Sequence, residues 1–464
     1  MRGAYVQQAT TRSRCKRQKG GKYATGWAPD QYPIIFERGK IMRHASISRE
    51  AFVKGATAGA AALAAGFPAF VPKRGEAADQ LRIGVLEEYT GTYATEGRNE
   101  TRGAQMAVDA WNKRGGVLGR QVALVKEDIQ GDPGVTVQKA RKLVNQDKVE
   151  ALFGCVSSAD ALAASGAANA MGMLYVDSGG HTDDVTGKAC HWNTFRTCHS
   201  TWMETHATGY SIAKLFGKKW FLITPDYAYG HSLAIGYQDV IKRIGGQIIA
   251  NELTPLGTTD FSSYLTKVEG AKPDVLVAMP QGNDLVNLLK QASSFGLLKK
   301  LPVAGPQVEL ETMWALPDEA RVGYWGIEWY YTNELVLGKG NTQAANFVQA
   351  YRKQYTEPPT ARVCFGYTTV DRLLWGMNEA KTTDAAKVAR TLENAHFRGL
   401  WEGSPYYRGA DHQLMWPMWF AQIRAKGTAT DSHDIFDVKD RQEADKIEQT
   451  VAEKAAVCHL GYPG

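Results

Sequence analysis

The sequence predicts an α/β fold with parallel sheets, divided into two domains behind a removable leader. Three observations carry this: a complete strand–loop–helix–strand unit at Leu81–Asp128, an alternation of short apolar runs with helical stretches after it, and a length beyond Ala77 that suits two domains of ordinary size. Leu81–Leu86 reads as a buried strand and Gly91–Gly97 as a loop. From about Gly103, residues Ala104, Ala107, Val108 and Trp111 recur at helical spacing. Gly115 and Gly116 end that helix, and Gln121–Val125 begins a second strand. In such a unit a ligand sits at the loop beyond the strand's carboxyl end. Further strands are expected at Ala151–Gly154, Met173–Val176, Trp220–Thr224, Gln247–Ala250, Asp274–Met279 and Leu301–Ala304, and helical stretches between them imply parallel pairing.

The leader reads as a signal peptide. Gly55–Pro72 is uncharged and dominated by Ala and Gly, with Lys54 before it and Lys73 and Arg74 after it. Gly75-Glu76-Ala77 is a small-x-small site for cleavage after Ala77. A membrane anchor is the rival reading, disfavoured by the small apolar area of Ala and Gly and by Pro68. Ser48–Lys54 resembles the twin-arginine export motif with Glu50 in place of the second arginine, which leaves the export route open. Translation is expected to start at Met42, making residues 1–41 a non-native or disordered extension and 42–77 the signal peptide.

The chain's formal charge of +6 belongs to this leader. Residues up to 78 hold 14 of the 54 basic and 4 of the 48 acidic side chains, leaving 40 and 44, a net of −4. With no basic stripe, nucleic acid is not an expected partner. Cys190 and Cys198, eight residues apart across CHWNTFRTC, are expected to close a short disulfide loop contributing about 2 to 3 kcal/mol. Cys155, Cys364 and Cys458 remain, with Cys364–Cys458 as one further pairing. No Cys or His spacing suits zinc. No nucleophile elbow, phosphate loop or dinucleotide fingerprint occurs, since Gly115-Gly116-Val117-Leu118-Gly119 follows a helix and terminates it. Ser157, His181 and Asp183 could be imagined as a hydrolytic set, which keeps an amide or ester hydrolase as a remote alternative to a non-enzyme.

The wording of the chain resembles one family. A strand ending in a T-G loop, RGAQMAVDAWN, GGVLGR and a strand ending in Asp128 are followed by FGCVSSADA, LYVDSGG, PDYAYGHS, DFSSYL, GPQVELE and CFGYTTVDRLLWG, spanning Leu81–Gln422. These ordered motifs are similar to those of periplasmic solute-binding proteins of the branched-chain amino acid ABC transporter class. The resemblance implies the type I periplasmic binding fold: two Rossmann-like lobes joined by a three-strand hinge, with crossings near 200, 332 and 410. Residues 80–200 and 333–410 would form one lobe, and 201–332 and 411–464 the other with a C-terminal tail. It also implies an inner-membrane permease as partner and no cofactor.

Site residues follow from both readings. Gly154-Cys155-Val156-Ser157-Ser158 follows an apolar strand and opens an Ala-rich helix, where free N–H groups and the dipole favour a carboxylate. An ordinary N-cap is the plainer alternative. The resemblance implies that Ser157, Ser158 and the Ser178–Thr182 loop, with Gly180 and Thr182, grip the ligand's carboxylate, with His181 beside them. It also implies cleft positions for Tyr229 before Gly230, for Gln281 and Gln307 at two strand ends, and for Tyr93 and Glu96 in the first loop. Trp325, Trp329, Tyr330, Tyr331 and Tyr367 are expected mostly in the core. Amino acid binders of this class carry a glutamate where Gln307 stands, to neutralise the ligand's ammonium. Glutamine cannot do so, which leaves Glu96 or Glu309 as the alternative source of a compensating charge, and a buried ammonium without a partner is costly. The expected ligand is therefore a small carboxylate or amide, with an aromatic or short organic acid favoured over an amino acid. Branched-chain amino acid import and ligand sensing on the same fold are the alternatives.

Overall fold

The computed structural model describes residues 80–463. The expectations about residues 1–77 lie outside them.

The first sheet is built from β1 (Leu81–Glu87), β2 (Val122–Asp128), β3 (Ala151–Gly154), β4 (Tyr175–Asp177) and β5 (Thr194–Arg196). Its order is β2-β1-β3-β4-β5, and every pairing is parallel. Helices α1 (Ala94–Lys113), α2 (Pro133–Asn145) and α3 (Ser158–Ala170) make the crossovers. Alternation along β1 divides the core: Leu81, Ile83 and Val85 pack with Ala104 and Val108 of α1, while Leu86 joins Leu143 of α2 and Ala161 and Ala164 of α3 on the other face.

The chain then leaves through residues 197–200 into α4 (Thr201–Phe216) and the second sheet. This contains β6 (Lys219–Pro225), β7 (Gln247–Thr254), β8 (Val275–Ala278), β9 (Val303–Gln307) and β10 (Tyr324–Ile327), joined by α5 (Ala228–Arg243), α6 (Ser262–Ala271), α7 (Gly282–Ser294) and α8 (Leu310–Trp314). Residues 328–341, with α9 (Glu334–Leu337), lead back to α10 (Thr342–Tyr355), α11 (Ala361–Ala380) and α12 (Ala385–Leu392), which cover the first lobe; α11 lies along α1. After the short hairpin β11 (Tyr406–Tyr407) and β12 (Leu414–Met415), residues 416–417 return the chain to β13 (Met418–Ile423) and β14 (Phe436–Gln442). These two are antiparallel, so the second sheet, ordered β14-β13-β10-β9-β8-β6-β7, is mixed at one edge. The fold is the expected bilobed α/β architecture with three connecting segments.

Two expectations need correction. The first concerns α1, which begins at Ala94 and takes in most of the stretch read as a loop. Its first turns bury Glu96, Asn99 and Glu100, so the polar residues lie on the inward face and the apolar periodicity is lost there. Gly97 permits the close approach of α1 to β1, since a Cβ would come 2.4 Å from the Glu88 carbonyl oxygen.

The second concerns the disulfide, which joins Cys190 to Cys458 rather than to Cys198. Strand β5 extends between Cys190 and Cys198 at about 3.3 Å per residue, and Cys198 turns into the first lobe's core, where it is a free, fully buried thiol. Cys364 and Cys155 are also free and buried, so Cys364 does not pair with Cys458. The tail beyond β14 thereby returns to the first lobe. Tyr462 reinforces the tie: its hydroxyl donates to Glu393 at 2.6 Å, and the Arg390 guanidinium lies 4.2 Å above its ring.

A non-reduced digest of the protein should yield a Cys190–Cys458 linked peptide and none linking Cys190 to Cys198. Replacing both Cys190 and Cys458 by Ser should destabilise the protein by about 2 to 5 kcal/mol, because the cross-link spans a long stretch of chain.

Candidate functional site

Loops at the carboxyl ends of the parallel strands of both sheets converge on one tightly closed cavity, with about 10 Å3 of room for a water-sized sphere. From the first lobe come Tyr93 after β1, Val156 and Ser158 after β3, His181 after β4, and Arg362 from α11. The second lobe supplies Tyr227 and Tyr229 after β6, Gln281 after β8 and Gln307 at the end of β9. The lobes touch across it. The Tyr93 and Tyr227 hydroxyls are 2.7 Å apart, the Asn99 side-chain amide donates to Glu311 at 2.9 Å, and Arg362 Nε donates to Glu309 at 2.6 Å.

Of the residues anticipated from sequence, Tyr93, Ser158, His181, Tyr229, Gln281 and Gln307 face this cavity, whereas Ser157, Gly180, Thr182 and Glu96 do not. Ser157 is the N-cap of α3, its hydroxyl accepting from the Asp160 N–H, which is the plainer of the two roles open to it. Gly180 and Thr182 shape their loop: the Gly180 N–H donates to Asp177 at 2.7 Å and the Thr182 N–H to Ser158 Oγ at 3.1 Å. Glu96 is buried and is pushed up to about 7, burial being the largest cause.

The hydroxyl of Tyr229 donates to Glu204 at 2.9 Å, and Gln281 Nε2 donates to the Gln307 carbonyl oxygen at 3.0 Å. His181 is held at both ring nitrogens, Nδ1 by the Gly179 carbonyl oxygen (2.6 Å) and Nε2 by Glu328 (2.9 Å). The other Glu328 oxygen meets His199 Nδ1 at 2.8 Å. Burial would raise Glu328, but its interactions with His181 and His199 outweigh that and hold it well below the usual carboxylate range. Asp183 accepts from the Trp202 N–H and from the Ser232 hydroxyl. Among the described residues no hydrogen bond links Ser157, His181 and Asp183, so the imagined hydrolytic set is not assembled. The aromatic run serves packing: Trp325 and Trp329 donate to backbone carbonyls, and Tyr330 and Tyr331 to Asp434 and Asp431.

Glu88, Tyr227 and Arg362 were not anticipated from sequence. Gly154 (φ +125°) and Cys155 (φ +74°) turn the chain sharply beyond β3, and the next two N–H groups form an anion-binding concavity. Its occupant is Glu88: the Val156 N–H donates to Oε2 at 3.0 Å and the Ser157 N–H to Oε1 at 2.8 Å. A carboxylate thus occupies the seat where a ligand's carboxylate was expected, and it comes from the chain itself. Asp160 beside it is pushed up to about 8 by burial and by the charge of Glu88. Arg362, fully buried, donates through Nη1 to Glu100 at 2.9 Å as well as through Nε to Glu309. The available signals were an acidic pair, Glu87-Glu88, closing an apolar strand and a lone arginine in the otherwise uncharged first half of α11.

Buried carboxyls outnumber buried cations around the cleft, and this fixes a pH dependence. Glu100 is pushed up to about 7 and Glu311 to about 8, burial leading in each case, alongside Glu96 and Asp160. In the unfolded chain these groups ionise near pH 4 to 4.5. The native state therefore binds more protons between pH 4.5 and 8, and its stability falls as pH rises through that window. The depressed carboxylates, Glu328 and Asp431 (about 2), contribute stability lost only below about pH 4. Thermal unfolding should give a higher Tm at pH 5 than at pH 8. A change of ~1 kcal/mol would move Tm by about 2–4 °C in a domain of 150–250 residues, and a Tm that rises toward pH 8 would contradict this account.

Comparison with known proteins agrees with the architecture. A family model described as periplasmic binding protein matches residues 80–428. A Leu/Ile/Val-binding protein homolog of Brucella suis is 29% identical over 331 residues, 68% of this chain and 81% of that one. A periplasmic binding protein from Burkholderia mallei superposes with a TM-score of 0.75 at 25% identity, covering 81% of this chain and 98% of that chain. An amino acid ABC transporter substrate-binding protein from Pseudomonas fluorescens gives 0.74 at 25% identity, covering 83% and 100%. With the cleft at the strand ends of both lobes and a family match over most of its length, the chain belongs to the periplasmic binding protein family.

Proposed function

We propose that this protein is the extracytoplasmic solute-binding component of an ABC importer, and that it captures a small carboxylate or amide lacking an α-ammonium group by closing its lobes on it. The observation that carries this reading is the cavity lined from both sheets at their strand ends. A ligand touching both walls stabilises the closed form in proportion to its preference for that form over the open one. An inner-membrane permease would recognise the closed form. The disulfide fits an oxidising, extracytoplasmic compartment.

Gln307 supports the absence of an ammonium. Its side chain faces the cavity as a neutral amide, and each carboxylate nearby has one oxygen already bonded, Glu309 Oε1 by Arg362 and Glu204 Oε2 by Tyr229. A ligand ammonium would also lie near the Arg362 guanidinium.

A thermal-shift screen of the purified protein tests the proposal, because a ligand that binds only the native state adds RT ln(1 + [L]/Kd) to its stability. Leucine, isoleucine and valine at millimolar concentration should leave Tm unchanged, while an amine-free acid or amide raises it. Micromolar binding of leucine by calorimetry would return the protein to amino acid transport.

A further inference from the structure

We infer that the solute is a small neutral carboxamide and that Glu88 acts as a built-in carboxylate that bars acids from the cleft. This rests on the proposed role in solute capture and narrows it to one ligand class. The turn after β3 presents the Val156 and Ser157 N–H groups, which would otherwise receive a ligand's carboxylate, and both are taken by Glu88, a side chain 1% exposed. Val156 lines the cavity, and an acid reaching its N–H finds the Glu88 carboxyl already bonded there.

What remains unpaired in the cavity describes the ligand. Gln307 is 2% exposed, and its side-chain amide has no hydrogen-bond partner in the protein, so it offers one acceptor and two donors. Gln281 spends its Nε2 on Tyr229 and on the Gln307 carbonyl oxygen, leaving Oε1 buried and unpaired. Arg362 uses Nε and Nη1 on Glu309, Glu100 and the Gly179 carbonyl oxygen, and its Nη2 has no partner. Ser158 Oγ accepts from the Thr182 N–H and keeps its own hydrogen to donate. The residues lining the cavity thus leave donors unpaired at Arg362 and Ser158, a buried acceptor unpaired at Gln281, and both kinds at Gln307.

A carboxamide matches this set with its carbonyl oxygen toward Arg362 and Ser158 and its NH2 toward the glutamine oxygens. A carboxylate would leave Gln281 Oε1 unpaired and add a charge to a region that already buries Glu88, Glu309 and Glu328. An ammonium would answer the glutamine oxygens but would oppose the free Arg362 amino group. Only the neutral amide meets both halves of the site.

Calorimetry on the full protein at pH 7.5 with acetamide, propionamide and benzamide, each against its parent acid, tests the inference. At least one amide should bind about tenfold or more tighter than its acid, a difference of ~1.4 kcal/mol. Glu88→Ala should shift the acid-to-amide affinity ratio toward the acid by about tenfold or more, by freeing the Val156 and Ser157 N–H groups. Gln281→Ala should weaken the amide more than the acid, moving the acid-to-amide ratio toward the acid. Acids that bind tighter than amides, with a ratio that Glu88→Ala does not alter, would overturn the carboxamide reading and leave solute capture standing. No binding or Tm shift with any of the six compounds would overturn the carboxamide reading and count against the capture of a small acid or amide as well. Should Glu88→Ala fail to fold, the amide-to-acid ratio of the native protein decides alone.

Discussion

The closed arrangement depends on one guanidinium. Arg362 is fully buried between Glu100 of the first lobe and Glu309 of the second, so it neutralises carboxylates on both sides of the cleft. Burying a charge without a partner costs several kcal/mol, and breaking a buried pair by removing one member costs about 3–5 kcal/mol. Burial raises the Glu309 carboxyl, and Arg362 is the main group that opposes this by favouring its charge. Removing Arg362 would leave two carboxyls to hold protons or to draw in water, and the faces of the cleft would lose their main electrostatic reason to meet.

A second charged centre ties this cleft to the hinge. Glu328 stands just beyond β10, on the second connecting segment, and receives His199 from the first segment and His181 from the cavity wall. His199 in turn reaches the Pro417 carbonyl oxygen on the third. The segments that join the lobes are therefore cross-linked by hydrogen bonds to one another and, through His181, to the cavity. A ligand that reorients His181 would act on the hinge through a single intervening side chain.

Much of the fold was legible in the sequence, because the strands at 151–154, 219–225 and 275–278 are short apolar runs bounded by turn signals and are buried throughout or nearly so. The start of α1 was not, since a helix that turns Glu96, Asn99 and Glu100 inward has no apolar stripe to read. The same physics divided the site. Tyr93, Ser158, His181, Tyr229, Gln281 and Gln307 stand at strand ends where the resemblance pointed, but the partners of a buried polar group lie far along the chain. Glu88 meets Ser157 across 69 residues and Arg362 meets Glu100 across 262, distances at which spacing carries no information. The Cys190–Cys458 bond was missed for that reason as well: local spacing favoured Cys198, and only the packed tail brings Cys458 near.

That tail changes what a protease could achieve. With Cys190 joined to Cys458, the whole second lobe and the covering helices of the first lie inside a covalent ring. One cut in an exposed stretch such as the segment between β13 and β14 would open the ring without releasing either fragment. The nicked molecule would keep its mass until a reductant parted it, so in an oxidising compartment it takes two cuts within the ring to dismember this protein.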